Sequence, residues 1–228
     1  MAEFLRARSN DAKQARELAI LDAARRLGVR DGVRTVTLTG IAEEVGLHKS
    51  GLLRYFETRE QIFLRLAAAE WSKWGSAVVG ALDGAASARE VGESIASSLA
   101  TRPFFCDLLG HVPLSLERNV SSQAVIAFKL VTHAQVDAIT AALMRALPDL
   151  SPRDCVDVIS TAVSTAGALW QMSTPGKLLA EVYRQDARLA HAIVDFEPTL
   201  ARILSALLAG LVAQRRPPSG AAASSLDR

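Results

Sequence analysis

Residues Gly46 to Ile62 read GLHKSGLLRYFETREQI, and how this stretch winds decides the fold. Leu47, Leu52 and Phe56 are spaced to share the packing side of a short helix, together with Ile41, Ala42 and Val45 just upstream. Lys49, Ser50, Gly51 and Arg54 then fall on the outward side, with Tyr55 and Arg59 flanking them. A helix seated in the DNA major groove needs this division of labour. Small or polar residues near its N-terminus reach base edges, cations and hydroxyls hold phosphates, and an apolar back fixes its angle.

Working outward, Thr37 is placed to accept a backbone N–H as the N-cap of a short helix running through Val45, and Gly46 stops it. After the turn at Gly46-Leu47-His48, a helix is predicted from about residue 49 to 56. Thr58 followed by Gln61 forms a capping box that opens a long helix to about Gly80, with Ile62, Leu64, Leu66, Trp71 and Trp74 on its apolar positions. Two short helices joined by a glycine turn are the helix-turn-helix signature. Upstream, Asn10 is a plausible N-cap for a first helix carrying Leu18, Ile20, Leu21, Ala24 and Leu27 and ending at Gly28, before a turn at Asp31-Gly32. Residues 1–10, with Arg6 and Arg8, read as a loose basic arm.

The segment TLTGIAEEVGLHKSGLLRYFETREQIF resembles the DNA-binding segment of the TetR family of transcriptional repressors. It matches that family's pattern at Thr37, Ile41, Ala42, Gly46, Leu52, Tyr55, Phe56 and Glu60. Conservative replacements stand at Val45, Leu47, Thr58, Arg59 and Ile62. His48 replaces the usual serine cap of the recognition helix and Ser50 a glycine. Leu53 replaces a tyrosine that often touches DNA in the family, so it is assigned to packing. The candidate DNA-facing set is Thr37, Thr39, His48, Lys49, Ser50, Gly51, Arg54, Tyr55 and Arg59.

Beyond Gly84, proline and glycine punctuation divides the chain into helices at about 87–100, 103–116, 120–147, 152–172, 177–184 and 187–215, the last restarting near Asp195 and Pro198. The fold class is therefore all-α, with a helix-turn-helix domain at 11–58, a regulatory domain at 59–214 and a disordered tail at 215–228. The resemblance implies that the regulatory domain binds a small-molecule effector and dimerises through its last two long helices. Ala162, Ser164, Ala166, Gly167, Ala206, Ala209 and Gly210 would allow close helix approach there, with Leu204, Leu207, Leu208 and Leu211 adding buried area. Such a homodimer would set its recognition helices about 34–36 Å apart and demand a palindromic operator in double-stranded DNA. The resemblance also places an effector pocket between the long fourth helix and those after it. Trp71, Trp74, Phe104, His111, Phe128, His133 and Trp170 are its candidate lining. Each has ordinary core packing as its alternative, and the scarcity of charge in 119–147 points to a mostly apolar ligand.

Composition agrees with this division. Residues 1–66 hold 12 Lys and Arg against 9 Asp and Glu, whereas the remaining 162 hold 14 against 15, so the positive surplus lies where a polyanion would meet it. Cys106 and Cys155 form no C-x-x-C pair or metal-like spacing and read as small buried hydrophobes. His133 and Asp137 share a helical face, but solvation is the better reading of them, and no metal or cofactor is expected. No G-x-S-x-G, phosphate loop, H-E-x-x-H or Cys/His constellation points to catalysis. Neither a signal peptide nor a stretch able to cross a bilayer is expected, which suggests a cytoplasmic protein without a membrane partner. A DNA-binding dimer that needs no ligand, and an activator, stay open as alternatives.

Overall fold

The computed structural model describes residues 2–186, 188–189 and 194–215, with side chains from Asp11 onward. The expected tail from residue 216 lies outside them. Among the described residues there are helices and no strand: α1 (Ala2–Asp31), α2 (Leu38–Glu44), α3 (Lys49–Leu52), α4 (Arg59–Ala81), α5 (Ala88–Ala100), α6 (Pro103–His111), a π-helical turn (Val112–Leu116), α7 (Ser122–Ala146), α8 (Pro152–Ser173), α9 (Lys177–Gln185) and α10 (Phe196–Arg215).

Helix starts follow the sequence. Thr37, Ser87, Ser121 and Ser151 each accept the backbone N–H three residues on, and Ser151 and Asp154 complete a reciprocal capping box at α8. At α4 the box is only half formed: Thr58 accepts from the Gln61 N–H, but the Gln61 side chain accepts from the Glu57 N–H at 2.8 Å rather than from Thr58 itself. Three expectations about element ends change. The arm expected at 1–10 is, from Ala2, the opening of α1, since no proline or glycine interrupts that run. Gly28 lies inside α1 rather than capping it. A Cβ there would stand 2.7 Å from the Phe104 ring, so its smallness serves the seat of α6 on α1, and the left-handed turn falls at Gly32. The 103–116 helix loosens into the π-turn after His111, at Pro113. Of the last helix, expected over 187–215, the described part runs from Phe196, at the expected restart, and positions 187 and 190–193 lie outside the described residues.

In the DNA-binding half, Ile20, Ala24, Leu27, Ile41, Leu52, Phe56, Ile62 and Phe63 form the core between α1, α2, α3 and the start of α4. Trp71, Trp74 and Phe105 stack edge-on or tilted with centroids 5.2–5.7 Å apart, and Trp74 donates to Ser98 Oγ at 2.9 Å. That aromatic block joins α4 to α5 and α6. The regulatory half packs α4 against α7, α6 against α8, and α10 along α5 and α8. Arg215, at the end of α10, reaches Ser151 and Asp154 at the start of α8.

The expectation that no stretch could cross a bilayer needs correction. By length and composition alone, α7 and α10 are both apolar enough. Each keeps much of its surface outside the core of a single chain, and α7 carries Lys129, Asp137 and Arg145 along its length. Leu200, Leu204 and Leu208 of α10 are buried within the chain.

Candidate nucleic-acid interface and effector cavities

The helix-turn-helix is held by two devices. Gly46 adopts φ 64°, a left-handed conformation that costs a residue with a Cβ, and so turns the chain sharply from α2 towards α3. Behind the turn, Leu52 and Phe56 are buried, which at about 1.5–3 kcal/mol per fully buried large apolar side chain fixes the roll of α3 on the core. Regular α-helix lasts only from Lys49 to Leu52, shorter than the 49–56 expected, because the winding tightens at the Arg54 N–H to Gly51 carbonyl bond and the Tyr55 N–H to Leu52 carbonyl bond. His48 gives α3 no side-chain cap, as its departure from the family serine suggested; its ring lies 3.4 Å from Ser50 Oγ instead.

His48, Lys49, Ser50 and Arg54 are exposed together on one side of this turn, with Gly51 and Tyr55 half-buried beside them. Thr37 and Thr39, at the start of α2, are exposed as well. Thr37 Oγ1 accepts from Gly40 N–H at 3.0 Å, which leaves its own hydroxyl hydrogen free to donate.

Two residues depart from expectation. Leu53, assigned to packing, is 44% exposed, because the tightened winding after Leu52 turns it outward next to Arg54. Arg59, placed in the DNA-facing set, points inward. Its guanidinium donates to the carbonyls of Val33 and Val36, pairs with Glu60 at 3.1 Å and lies 4.8 Å over the Phe63 ring. With 18% of its side chain exposed and its donors engaged, Arg59 ties the head of α4 to the α1–α2 loop.

The seven residues proposed for the effector pocket do not meet in one place. A cavity of about 570 Å³ lies between α4, α6, the π-turn, α7 and α8, and of the seven only Trp71 and Phe128 line it. Its remaining wall is largely apolar, including Leu109, Val112, Val136, Ile159 and Val163. Lys129, paired with Glu117 at 2.6 Å, and Gln171 supply polarity. Phe104, His111 and Trp170 line a second cavity of about 740 Å³ at the junction of α1, α6 and α8, where Arg25, Arg34, Arg102, Glu70 and Asp107 make the wall much more polar. Trp74 and His133 line neither: Trp74 is spent in the aromatic block, and His133 is exposed on α7. Among the described residues no group of three or more His, Cys, Asp and Glu is placed to hold a metal ion. Burial pushes the Cys106 thiol up to about 12 and Cys155 up to about 11, so neither supplies a thiolate at neutral pH.

Sequence reasoning missed Asp107 and Gln171. Asp107 is buried, accepts Val33 N–H at 2.7 Å and Gln171 Nε2 at 2.8 Å, and lies 3.4 Å from His111 Nε2. Burial pushes its carboxyl up, but the hydrogen bonds from His111, Val33 and Gln171 outweigh that and hold it below the usual carboxylate range. Nothing local marks such a residue, since its partners are 74 and 64 positions away.

A helix-turn-helix with an outward cationic face, joined to a larger helical domain with cavities open to its surface, defines a DNA-binding regulator. Residues 20–66 match the family of bacterial regulatory proteins described as the tetR family, and residues 68–215 match the tetracyclin repressor-like C-terminal domain. The chain belongs to the TetR family of transcriptional regulators, DNA-binding proteins and not enzymes. Solved structures share the fold at low identity. FadR of Bacillus subtilis in complex with stearoyl-CoA is 15% identical, with a TM-score of 0.52 over 86% of this chain and 97% of that one. A putative regulator from Mesorhizobium loti is 14% identical, with a TM-score of 0.51 over 89% and 97%. The Thermus thermophilus FadR repressor in complex with lauroyl-CoA is 20% identical, with a TM-score of 0.50 over 78% and 95%. No curated protein matches the chain.

Proposed function

We propose that this protein is a cytoplasmic, homodimeric repressor that binds a palindromic operator and is released by a small, mostly apolar ligand in the 570 Å³ cavity. The observation that carries the reading is the apolar cavity walled by Trp71 of α4, the helix whose first turns brace the helix-turn-helix. Lys49, Ser50 and Arg54 supply the base-facing and phosphate contacts, with Thr37, Thr39, His48, Gly51 and Tyr55 beside them. Leu53 joins them as an apolar contact suited to a thymine methyl.

Dimerisation is assigned to the outward faces of α8 and α10. Ala162, Ala166 and Gly167 are buried within the chain, as are Leu204 and Leu208, so they leave the set proposed from sequence. Val156, Ser160, Ser164 and Ala168 on α8, with Ala206, Ala209 and Gly210 on α10, are exposed and small enough for close helix approach. A partner on this face would stand over the first cavity, because Ser160, Ser164 and Ala168 also line it.

The ligand must bind the DNA-incompetent arrangement better than the competent one, since equal affinity would shift nothing. The two FadR neighbours carry acyl-CoA ligands, and the apolar wall with Lys129 at its edge suits an acyl chain bearing an acidic group, so lauroyl-CoA and stearoyl-CoA are the first compounds to try. The test is fluorescence anisotropy on the DNA upstream of the gene, at two salt concentrations, with and without these compounds and a wider library. Saturable binding that a compound releases supports the inducible repressor. Tight binding that no compound alters favours the ligand-independent dimer.

A further inference from the structure

The α1–α2 loop is gripped from both sides. The Val33 and Val36 carbonyls accept from Arg59, the first residue of α4, while Val33 N–H donates to Asp107 Oδ2 at 2.7 Å. The other oxygen of Asp107 accepts from Gln171 Nε2 at 2.8 Å, and Gln171 lines both the 570 Å³ and the 740 Å³ cavities. A continuous hydrogen-bonded chain therefore runs from the wall of the first cavity, through Gln171, Asp107 and Val33, to the head of α4 and the loop that enters α2. Its middle member is a buried carboxylate, which loses stabilisation when a donor is withdrawn.

We propose that Asp107 is the positioning residue that holds the helix-turn-helix in its DNA-competent orientation, and that Gln171 is the group through which an occupant of the first cavity loosens that hold. The inference rests on reading that cavity as the effector site. An occupant drawing the Gln171 amide into the first cavity leaves Asp107 with His111 and the Val33 N–H as its donors, so the carboxylate that anchors Val33 loses its hold on α8 and is freer to shift.

The test compares Gln171→Glu, which sets a second carboxylate against Asp107, with Gln171→Lys, which restores a donor and an opposite charge. Hydrogen exchange at the Val33 amide and operator affinity are read in the full chain. Gln171→Glu is expected to speed Val33 exchange at least about tenfold while Leu204 and Leu208 in α10 exchange as before, and to weaken operator binding about fivefold or more, within the usual range of coupling between sites. Gln171→Lys should stay near wild type in both. Unchanged Val33 exchange in Gln171→Glu, or an equal defect in Gln171→Lys, would overturn the proposal. The exchange reading needs no DNA, so a wild-type chain that binds no operator would sink the repressor reading while Val33 still decides whether the tie exists.

Discussion

The recognition segment and the effector half of this molecule are built by different means. In the segment from Thr37 to Ile62 nearly every functional decision is made within a few residues: a threonine cap, a positive-φ glycine, Leu52 and Phe56 inward, Lys49, Ser50 and Arg54 outward. In the effector half the decisive contacts join positions far apart in the chain, as Asp107 joins Val33 and Gln171. Short-range construction sets the local shape of the recognition segment, while its orientation is tied to the rest of the chain through Asp107 and the head of α4. Long-range construction makes the effector half responsive, because one side chain can break contacts on three elements at once.

The largest expected effect tests the local construction. Phe56→Ala should cost about 3–5 kcal/mol of stability by leaving a cavity behind α3, read as a lowered denaturation midpoint. A loss below about 1 kcal/mol would mean that α3 is held by something other than its apolar back. Next comes Arg59→Ala. Because its guanidinium is spent on Val33 and Val36, the variant should lose about 2 kcal/mol of stability with an unchanged salt slope of DNA binding, at roughly 1.5–3 kcal/mol for a hydrogen bond to a charged group. A slope lower by about one unit would return Arg59 to the phosphates.

Smaller effects sharpen the contrast on the dimer face and in acid. Ala206→Glu with Ala209→Glu should yield monomers by sedimentation, with much weakened operator binding and an intact thermal transition; a surviving dimer would move the interface off α10. Asp154 is held at about 2 by hydrogen bonds from Ser151 and Arg215, against an ordinary 3.8. A depressed carboxyl stabilises fully above its unfolded value, so its contribution is present above about pH 4 and is lost as pH falls from 3.8 towards 2. The stability difference between wild type and Asp154→Ala should shrink over that window, as followed by acid denaturation monitored by circular dichroism.

The same contrast explains what was legible in the sequence. Helix starts at Thr37, Ser121 and Ser151 and the stop at Gly46 follow from caps and φ constraints that neighbouring residues dictate. Arg59 reads as outward-facing from its spacing, which says nothing about carbonyls left unsatisfied 23 and 26 positions earlier that draw its guanidinium inward. The scatter of the seven effector candidates has a related cause. An aromatic or histidine side chain advertises pocket chemistry, but whether Trp74 lines a cavity or stacks on Trp71 is settled by how α4 meets α5 and α6. Gly28 shows the same limit: it reads as a helix end, yet its role is to admit the Phe104 ring.

The DNA-reading role proposed for the outward face of α3 and the turn after it is open to direct measurement. Fluorescence anisotropy of wild type, Lys49→Ala and Arg54→Ala on a palindromic sequence from upstream of the gene, and on its scrambled version, tests this most directly. Each variant is expected to lose about 1–3 kcal/mol on the palindrome while the gap between palindrome and scramble narrows. Equal affinities for all three proteins on both sequences would contradict the assignment.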